Sequence, residues 1–303
     1  MKVLALVGPT ASGKTRMGVE VALELGRVEV VSCDSMAVYR GLDIAADKPT
    51  DSERRGVPHH LFDVADPSED VTAVRYRELA RAVIDDIGRR GNVALIVGGS
   101  GLWFRAAVDD LEFAPTSASL RRKLEAADPK ELYARLQAAD PARAGAIDPR
   151  NTRRVVRAVE ILELTGRPPS ELRTSWDGRC GPYDVIVCGL TWDRATLFKR
   201  AEERVDREIA AGLVEEVGRL RQTTLSRTAR QALGVKEMIE HIEGRATLEE
   251  ARGVLVRNTK NFVRRQLSWF KADPRVQWID ASDLGWEGAR EQIVGRFEEA
   301  VGS

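Results

Sequence analysis

Along the N-terminal third of the chain, short apolar runs alternate with segments of helical periodicity. The runs at 2–7, 28–33 and 93–97 are rich in Val, Leu and Ile, and turn-forming residues follow them, which predicts buried strands. Apolar positions spaced three and four residues apart predict helices at about 15–25 and 73–90. Strands that alternate with helices favour a parallel sheet with right-handed crossovers. The pattern therefore predicts an α/β fold.

The pattern changes at about residue 115, where Ala, Arg, Asp and Glu become frequent and prolines recur. This composition predicts short helices in an inserted, all-helical domain. Residues 183–190 return to a strand pattern and rejoin the core. Further elements are predicted as helices at about 194–221, 232–243, 247–271 and 286–301 and a strand at 276–279. We expect a core of residues 1–114 and 181–303, and a helical insertion domain at 115–180.

Composition excludes some classes of protein without identifying one. The 303 residues carry 47 Lys and Arg against 47 Asp and Glu, so nucleic-acid binding would need local basic patches. Cys33, Cys180 and Cys188 lack a metal-binding spacing, which favours a reducing setting. A signal-peptide pattern is absent, and no apolar run approaches the length of a membrane span. We therefore expect a cytoplasmic protein without a membrane partner.

One motif between the first strand and the first helix fits the P-loop pattern G-x-x-x-x-G-K-[ST]. Its residues are Gly8, Pro9, Thr10, Ala11, Ser12, Gly13, Lys14 and Thr15. Backbone N–H groups of such a loop and of the following helix cradle a polyphosphate. Lys14 adds a positive charge, and the Thr15 hydroxyl can bind a magnesium ion. The motif does not define which phosphate compound is bound.

Two further loops follow predicted strands and should lie beside the P-loop, because the carboxyl ends of parallel strands share one edge of a sheet. Asp34 and Ser35 end the second strand. A carboxylate there can hold magnesium through water or accept a proton from a substrate, although Asp-Ser is also a common turn pair. After the third strand, Gly98–Gly101 allows close backbone approach, while Ser100 supplies a hydroxyl and Trp103 a flat ring.

Other clusters have both a structural and a functional interpretation. The adjacent His59 and His60 favour packing and hydrogen bonding over metal binding, because no Cys or carboxylate completes a zinc set. Three sets of basic residues are candidates for phosphate contacts or for ordinary solvated helix faces. They are Arg150, Arg153, Arg154 and Arg157; Arg194, Arg200, Arg204 and Arg207; and Lys260, Arg264, Arg265 and Lys271, the last interleaved with Phe262, Trp269 and Phe270.

Taken together, these segments resemble one family, the bacterial tRNA dimethylallyltransferases (tRNA isopentenyltransferases). The resemblance covers nearly the whole chain and rests on the order of its motifs. They are GPTASGKT at 8–15, DSMAVY at 34–39, GLDI and KP within 41–49, PHHLFD at 58–63, GGSGLW at 98–103, DPRNTRRVVRAVE at 148–160, QALGVKE at 231–237 and NTKNFVRRQLSWFK at 258–271.

The resemblance implies a P-loop kinase-like core and a prenyl transfer reaction. Members transfer a dimethylallyl group from dimethylallyl diphosphate to the exocyclic N6 amine of the adenosine 3′ to the anticodon in tRNA, and release diphosphate. The P-loop would then hold the diphosphate rather than a nucleoside triphosphate, with Mg²⁺ as the cofactor. The implied partner is the tRNA anticodon stem-loop, and we expect the enzyme to be a monomer.

The resemblance also implies roles for single residues. Asp34 would be the general base or orienting acceptor for the adenine amine. Lys14, Thr15 and Mg²⁺ would stabilise the departing diphosphate, with help from Arg204 or Arg200. The implied tRNA contacts are Asp34, Ser35, Met36, Ala37, Ser100, Arg121, Arg153, Arg154, Arg157, Arg230, Gln231 and Lys236. Ala37 departs from the family, which usually has Gln at this position, so the side-chain amide that could contact a base there is missing.

The residues alone leave other functions open. A P-loop nucleoside or small-molecule kinase that binds ATP would use the same loop and a nearby Asp, but it would not need the arginine face or the C-terminal basic helix. An RNA-binding GTPase-like switch would need an N-K-x-D base-reading motif, which the chain lacks. A prenyltransferase acting on free adenylate would not need the basic segments after residue 120.

Overall fold

The computed structural model describes residues 1–172 and 181–302. The chain divides into two compact units, Met1–Asp109 with Gly178–Ser303 and Asp110–Asp177. The predicted domain limits at 114/115 and 180/181 stay a prediction, and Cys180 lies outside the described residues. Among the residues described, none of the helices combines the length and apolar character needed to cross a membrane.

A parallel sheet forms the centre of the larger unit and has six strands in the described part of the chain. The strands are β1 (Lys2–Val7), β2 (Val28–Cys33), β3 (His59–His60), β4 (Val93–Gly98), β5 (Asp184–Thr191) and β6 (Val276–Asp280). Their spatial order is β3-β2-β4-β1-β5-β6. The strands predicted from apolar runs are confirmed, whereas the two-residue β3 was not predicted because its histidines carry no strand pattern.

Helices cover both faces of this sheet, as the alternating side chains of β1 require. Val3, Ala5 and Val7 belong to one apolar core, and Leu4 and Leu6 belong to another. The helices of the larger unit are α1 (Lys14–Leu25), α2 (Asp51–Arg54), α3 (Ala73–Arg89), α4 (Gly101–Val108), α9 (Arg194–Ala210), α10 (Leu213–Leu220), α11 (Val235–Ile242), α12 (Leu248–Lys271) and α13 (Ala281–Gly302), the last interrupted at Gly285. The α/β layers confirm the predicted fold class.

One predicted helix differs from the structure. The stretch at 194–221 forms two helices, α9 and α10, because Gly212 between them has a φ of 100°. This left-handed conformation suits glycine and ends a right-handed helix.

Helices are the regular secondary structure of the smaller unit in its described residues. Its helices are α5 (Ala118–Glu125), α6 (Pro129–Ala139), α7 (Pro141–Gly145) and α8 (Thr152–Thr165), followed by a short 3₁₀ turn at Pro169–Glu171. Side-chain caps from Ser117, Asp128, Asp140 and Asn151 begin these four helices. Leu124, Leu132, Leu136, Val155 and Val159 form an apolar core within the unit.

Candidate active site

The P-loop joins β1 to α1. Its Gly13, which precedes α1, is a position where another residue would be strained. Gly13 caps α1 with a φ of 87°, and a Cβ added there would lie 2.8 Å from the ring of Trp286. The helix therefore begins at Lys14, with Thr15 in its first turn. The unpaired N–H groups of this first turn and its positive dipole end favour an anion at the loop.

Side chains from distant parts of the chain hold the loop in place. The Thr10 backbone N–H donates to Oε1 of Gln266 at 2.8 Å, and the Thr10 hydroxyl accepts from Nη1 of Arg204. Nε1 of Trp192 donates to the Ser12 carbonyl at 2.9 Å. The buried Ser12 hydroxyl has no hydrogen-bond partner among the described residues, so it is available to a ligand oxygen.

Lys14 has an unusual electrostatic environment. Its Nζ donates to the Pro9 carbonyl at 3.2 Å. Burial lowers the pKa of Lys14 to about 8; the nearby Asp34 carboxylate opposes this shift, and the Arg204 guanidinium adds to it. Lys14, Asp34 and Arg204 therefore belong to one site, in which two cations share a poorly solvated volume. Such a volume is suited to a polyanion.

Asp34 follows β2 at the same edge of the sheet, since β2 and β1 both pair with β4. Its Oδ1 accepts from the backbone N–H groups of Met36 at 2.8 Å and Ala37 at 3.4 Å. These bonds close a turn and fix the carboxylate. Oδ2 has no hydrogen-bond partner among the described residues and can accept one from a substrate or hold a metal-bound water.

The loops after β2 and β4 are tied together beside Asp34. The Ser35 N–H donates to the Ser100 hydroxyl at 3.2 Å, and the Ser100 N–H donates to the Cys33 carbonyl at 3.2 Å. A Cβ at Gly98 would lie 2.1 Å from that carbonyl oxygen, so only glycine allows the loops to meet. The predicted proximity of Ser35 and Ser100 thus follows from backbone contact.

Two of the aromatic residues considered for ligand contacts belong to the core. Trp103 is buried and stacks on Tyr76 with ring centroids 4.2 Å apart, so its ring does not offer a free face. Phe270 is fully buried and packs against Phe104. Trp269, by contrast, is 38% exposed beside Gly101.

Arg204 and Arg200 have different surroundings on α9. Arg204 forms ion pairs with Glu208 at 2.6 Å and Asp47 at 3.3 Å. Burial alone would lower the pKa of Arg204, but these carboxylates raise it above its usual value. Arg200 instead stacks over the Trp192 ring at 3.9 Å, and burial lowers its pKa. Of the two, Arg204 contacts the P-loop directly.

A buried carboxylate on α10 holds the loop that carries Asp47. Glu216 accepts from the backbone N–H groups of Asp43 at 3.0 Å, Ile44 at 2.8 Å and Ala45 at 2.9 Å. Three N–H groups on one carboxylate fix this turn, and Asp47 follows it. The sequence interpretation did not single out Glu216, Asp47, Trp192 or Gln266. Gln266 lies within the 258–271 motif, which was the one available signal.

The remaining candidate tRNA contacts of the larger unit lie on other elements. Arg230 and Lys236 are exposed, on a 3₁₀ turn at Ala229–Gln231 and on α11 respectively. Nε of Arg230 donates to the Leu225 carbonyl at 3.2 Å. Gln231 is exposed, Met36 is half-buried and Ala37 is buried. The backbone N–H groups of Met36 and Ala37 bind Asp34, whereas the hydrogen bonds that fix Asp34, Ser35 and Ser100 do not include Arg230, Gln231 or Lys236.

In the smaller unit, two candidate arginines are ion-paired. Nη2 of Arg121 and Nη1 of Arg157 both contact Oε2 of the fully buried Glu160, at 2.6 and 2.7 Å. Burial would raise the pKa of Glu160, but these arginines and the Ser117 N–H lower it. Arg157 also donates to the carbonyls of residues 114 and 115. Arg153 and Arg154 are exposed on the same helix, α8.

The paired histidines occupy the edge strand β3. Nε2 of His60 lies 2.7 Å from Oε2 of the buried Glu29, which also binds Arg90, and Nδ1 of His59 lies 2.8 Å from the Val57 carbonyl. Among the described residues, no group of three or more His, Cys, Asp and Glu side chains could hold a metal ion. The predicted packing and hydrogen-bonding role of the histidines is confirmed.

A P-loop at the carboxyl edge of a parallel sheet, with a carboxylate at the end of β2 on the same edge, defines an α/β protein of the P-loop class. The description of the family model that matches residues 37–273 is IPP transferase. The chain belongs to the IPP transferase family.

Relatives and solved structures extend over nearly the whole chain. A tRNA dimethylallyltransferase of Pelotomaculum thermopropionicum is 43% identical over 305 residues, covering 98% of this chain and 96% of the relative. One of Streptomyces coelicolor is 47% identical over 284 residues, covering 92% and 90%. The crystal structure of a full-length tRNA isopentenylpyrophosphate transferase from Bacillus halodurans matches with a TM-score of 0.73 at 38% identity, covering 98% and 97%. A eukaryotic dimethylallyltransferase acting on tRNA matches with a TM-score of 0.78 at 27% identity, covering 96% and 77%.

Proposed function

We propose that this chain transfers a dimethylallyl group from dimethylallyl diphosphate to the N6 amine of the adenosine 3′ to the anticodon in tRNA, with release of diphosphate. One observation carries the proposal. Lys14 of the P-loop and Arg204 of α9 lie in the same site as a carboxylate, Asp34, that keeps one oxygen without a hydrogen-bond partner among the described residues. The relatives named tRNA dimethylallyltransferase support it, and they do not favour the alternative of a P-loop kinase.

The demands of the reaction match this arrangement. The exocyclic amine of adenine is a weak nucleophile, so the reaction depends on stabilising the leaving diphosphate while positive charge develops on the allylic carbon. Lys14, Arg204 and the first-turn N–H groups of α1 would balance the charge on the diphosphate. Removing one such donor typically lowers the rate about a hundred- to a thousand-fold. Arg200 is a second candidate for this role.

Asp34 would act on the acceptor side. Its Oδ1 is held by the N–H groups of Met36 and Ala37, which leaves Oδ2 to accept a hydrogen bond and then the proton of the attacking amine. The C–N bond forms as the C–O bond to diphosphate breaks, and the amine proton passes to the carboxylate. A target in a single-stranded anticodon loop would cost only a few kcal/mol to unstack.

The donor atoms fit Mg²⁺ bound together with diphosphate. Magnesium is held in phosphate-transfer sites by one or two protein ligands plus phosphate oxygens and water, so a cluster of acidic side chains is not needed. Thr15, in the first turn of α1, would supply the protein ligand. The unpartnered Ser12 hydroxyl suits a diphosphate oxygen. When bound, the metal would neutralise part of the diphosphate charge.

The surfaces for tRNA follow from the same proposal. Backbone and side-chain groups of Asp34–Ala37 and Ser100 would contact the target nucleotide. Arginine and lysine side chains, some exposed and some half-buried, would contact the phosphates of the anticodon stem-loop. These cations are Arg121, Arg153, Arg154 and Arg157 in the smaller unit, and Arg230 and Lys236 in the larger one, with Gln231 beside them. We further propose that the enzyme acts as a cytoplasmic monomer.

A paired transfer assay tests the function. Purified protein with Mg²⁺ is given unmodified tRNA and radiolabelled dimethylallyl diphosphate, and separately nucleosides and radiolabelled ATP. We expect label in the tRNA, located at the adenosine 3′ to the anticodon by nuclease digestion. Phosphate transfer from ATP to a nucleoside, with tRNA unlabelled, would support the kinase instead.

A further inference from the structure

A buried glutamine on α12 joins two of the loops that form the candidate site. Oε1 of Gln266 accepts from the Thr10 N–H of the P-loop at 2.8 Å, and its Nε2 donates to the Gly99 carbonyl at 3.0 Å. The side chain is 5% exposed, and Thr10 and Gly99 are buried as well. Both ends of one amide are therefore used, each by a different loop.

The two loops serve opposite sides of the proposed reaction. Thr10 lies in the P-loop, which would hold the leaving diphosphate. Gly99 precedes Ser100, whose hydroxyl accepts from the Ser35 N–H next to Asp34, on the side of the attacking amine. The amide is thus a link of fixed length between the donor side and the acceptor side. Reacting groups held about 1 Å out of place can lower a rate about 100-fold.

The bond to Thr10 also changes the role of that residue. Its N–H is already used by Gln266, so it belongs to the frame of the loop and does not contribute to the anion cradle. The P-loop has two other anchors, the Arg204 bond to the Thr10 hydroxyl and the Trp192 bond to the Ser12 carbonyl. Loss of the amide should therefore leave a loop that still binds diphosphate.

The fit around Gln266 is tight on the side of Gly99. A Cβ added at Gly99 would lie 2.2 Å from Nε2 of Gln266 and 3.0 Å from the Gly8 carbonyl oxygen. The backbone of Gly99 does not have a positive φ, so space rather than conformation explains the glycine. The absence of a side chain here lets the amide reach the Gly99 carbonyl.

We propose that Gln266 is a positioning residue that fixes the spacing between the P-loop, which it binds at Thr10, and the acceptor loop at Gly99–Ser100, and so aligns the allylic donor with the attacking amine. The inference rests on the proposed prenyl transfer. Its signature is a fall in kcat with little change in donor binding, because the cradle survives while its alignment is lost.

The test compares two variants with a control on the same helix. Gln266→Met keeps the length of the side chain but removes both hydrogen bonds, and Gly99→Ala forces the amide to move without removing it. Thr259→Val is the control, because the Thr259 hydroxyl is also buried on α12 but donates only to the Leu255 carbonyl within the helix. Single-turnover prenyl transfer to tRNA, the KM for dimethylallyl diphosphate, the Kd for inorganic diphosphate and the melting temperature are measured for each.

We expect kcat to fall about 100-fold in Gln266→Met. The KM for dimethylallyl diphosphate and the Kd for inorganic diphosphate should change less than about threefold, as expected when only transition-state alignment is lost. Gly99→Ala should also lower kcat while the KM and the Kd change little. If Gln266→Met does not fold, the result for Gly99→Ala tests the role of Gln266. Thr259→Val should keep its kcat even where its melting temperature falls.

Three results would overturn the inference. They are an unchanged kcat in the folded variants, a loss of diphosphate affinity that equals the loss of kcat, and an equal loss of kcat in Thr259→Val. If the unaltered chain binds diphosphate but does not prenylate tRNA, the proposed function is wrong, and the inference about Gln266, which depends on it, is wrong as well. If the unaltered chain and both variants all transfer the prenyl group at the full rate, the proposed function stands and only the role of Gln266 is wrong.

Discussion

Arg204 donates a hydrogen bond from Nη1 to the hydroxyl of Thr10, a residue 194 positions earlier in the chain. The same guanidinium uses Nε to bind the buried Glu208, one turn further along α9. Arg204 therefore joins the P-loop to α9 and carries a positive charge to the phosphate site. Its two roles, in the fold and in the reaction, can be separated by mutation.

Replacing Arg204 by Ala should affect both roles. We expect kcat for prenyl transfer to fall about a hundred- to a thousand-fold, because a cation that stabilises the leaving diphosphate is lost. The variant should also lose stability, about 3–5 kcal/mol for a buried pair broken on one side, since Glu208 keeps an unpaired carboxylate. Single-turnover kinetics and thermal unfolding measure the two effects.

The double variant Arg204→Ala with Glu208→Gln is the control for this prediction. A neutral amide at 208 removes the unpaired buried charge, so the melting temperature should recover much of its loss while the rate does not. Recovery of the rate together with the melting temperature would mean that Arg204 acts only through the fold.

Asp34→Asn is a sharper test of the proton acceptor than Asp34→Ala. The amide oxygen of Asn can still accept from the Met36 and Ala37 N–H groups, so the turn is kept while the negative charge is lost. We expect both variants to lose transfer and to keep tRNA affinity within a few-fold, as measured by single-turnover assays and filter binding. Normal turnover with much weaker tRNA binding would assign Asp34 to recognition instead.

Much of the fold and part of the site could be predicted from the sequence because their signals are local. Apolar runs marked every strand of the sheet except β3, and the P-loop motif together with the strand ends predicted that Lys14, Asp34 and Ser100 would share one edge. The rule that loops at the carboxyl ends of parallel strands meet needs no knowledge of side-chain contacts.

The partners of these residues could not be predicted, because they come from distant parts of the chain. No pattern shows that Gln266 binds the P-loop 256 positions away or that Glu216 holds the 43–45 turn. The arginine face on α8 shows a related limit. The spacing predicted one helix face for Arg150, Arg153, Arg154 and Arg157, but α8 begins at Thr152, so Arg150 lies outside the helix and pairs with Asp148 instead. The burial of Glu160, and hence its pairing with Arg157 and Arg121, depends on tertiary packing.

The pKa of Lys14 predicts how diphosphate binding depends on pH. In the free chain this pKa is lowered to about 8, and a bound polyanion would raise it, so binding above pH 8 takes up a proton. Affinity should therefore fall as the pH rises above about 8, by up to about tenfold per pH unit. Titration calorimetry with inorganic diphosphate between pH 7 and 10 measures this slope.

Lys14→Arg is the matched control, because a guanidinium stays protonated over the same range. Protonation of the ligand itself affects both proteins equally, so the difference between their slopes reports Lys14 alone. Equal slopes in the two proteins would contradict the prediction.

Arg154 and Arg157 should respond differently to replacement by Ala. Arg154 is exposed, so its loss should weaken tRNA binding, reduce the slope of log affinity against log salt by about one, and leave stability unchanged. Arg157 holds the buried Glu160 and two backbone carbonyls, so its loss should lower the melting temperature as well. Filter binding at several salt concentrations, with thermal unfolding, tests both. If the slope of log affinity against log salt is unchanged in Arg154→Ala, Arg154 does not contact a phosphate and belongs to a solvated helix face.

Glu216 offers a test of how a remote carboxylate supports the site. Its side chain accepts three successive backbone N–H groups, so Glu216→Ala leaves buried donors without an acceptor, at about 1–3 kcal/mol for each one that water does not reach. The turn also positions Asp47, a partner of Arg204. We expect a clear loss of stability and a smaller loss of kcat than in Arg204→Ala, because the Glu208 contact remains. Glu215→Ala, at the exposed neighbouring position of α10, is the control and should change neither quantity. A fully active and stable Glu216→Ala would show that the 43–45 turn holds its shape without the carboxylate.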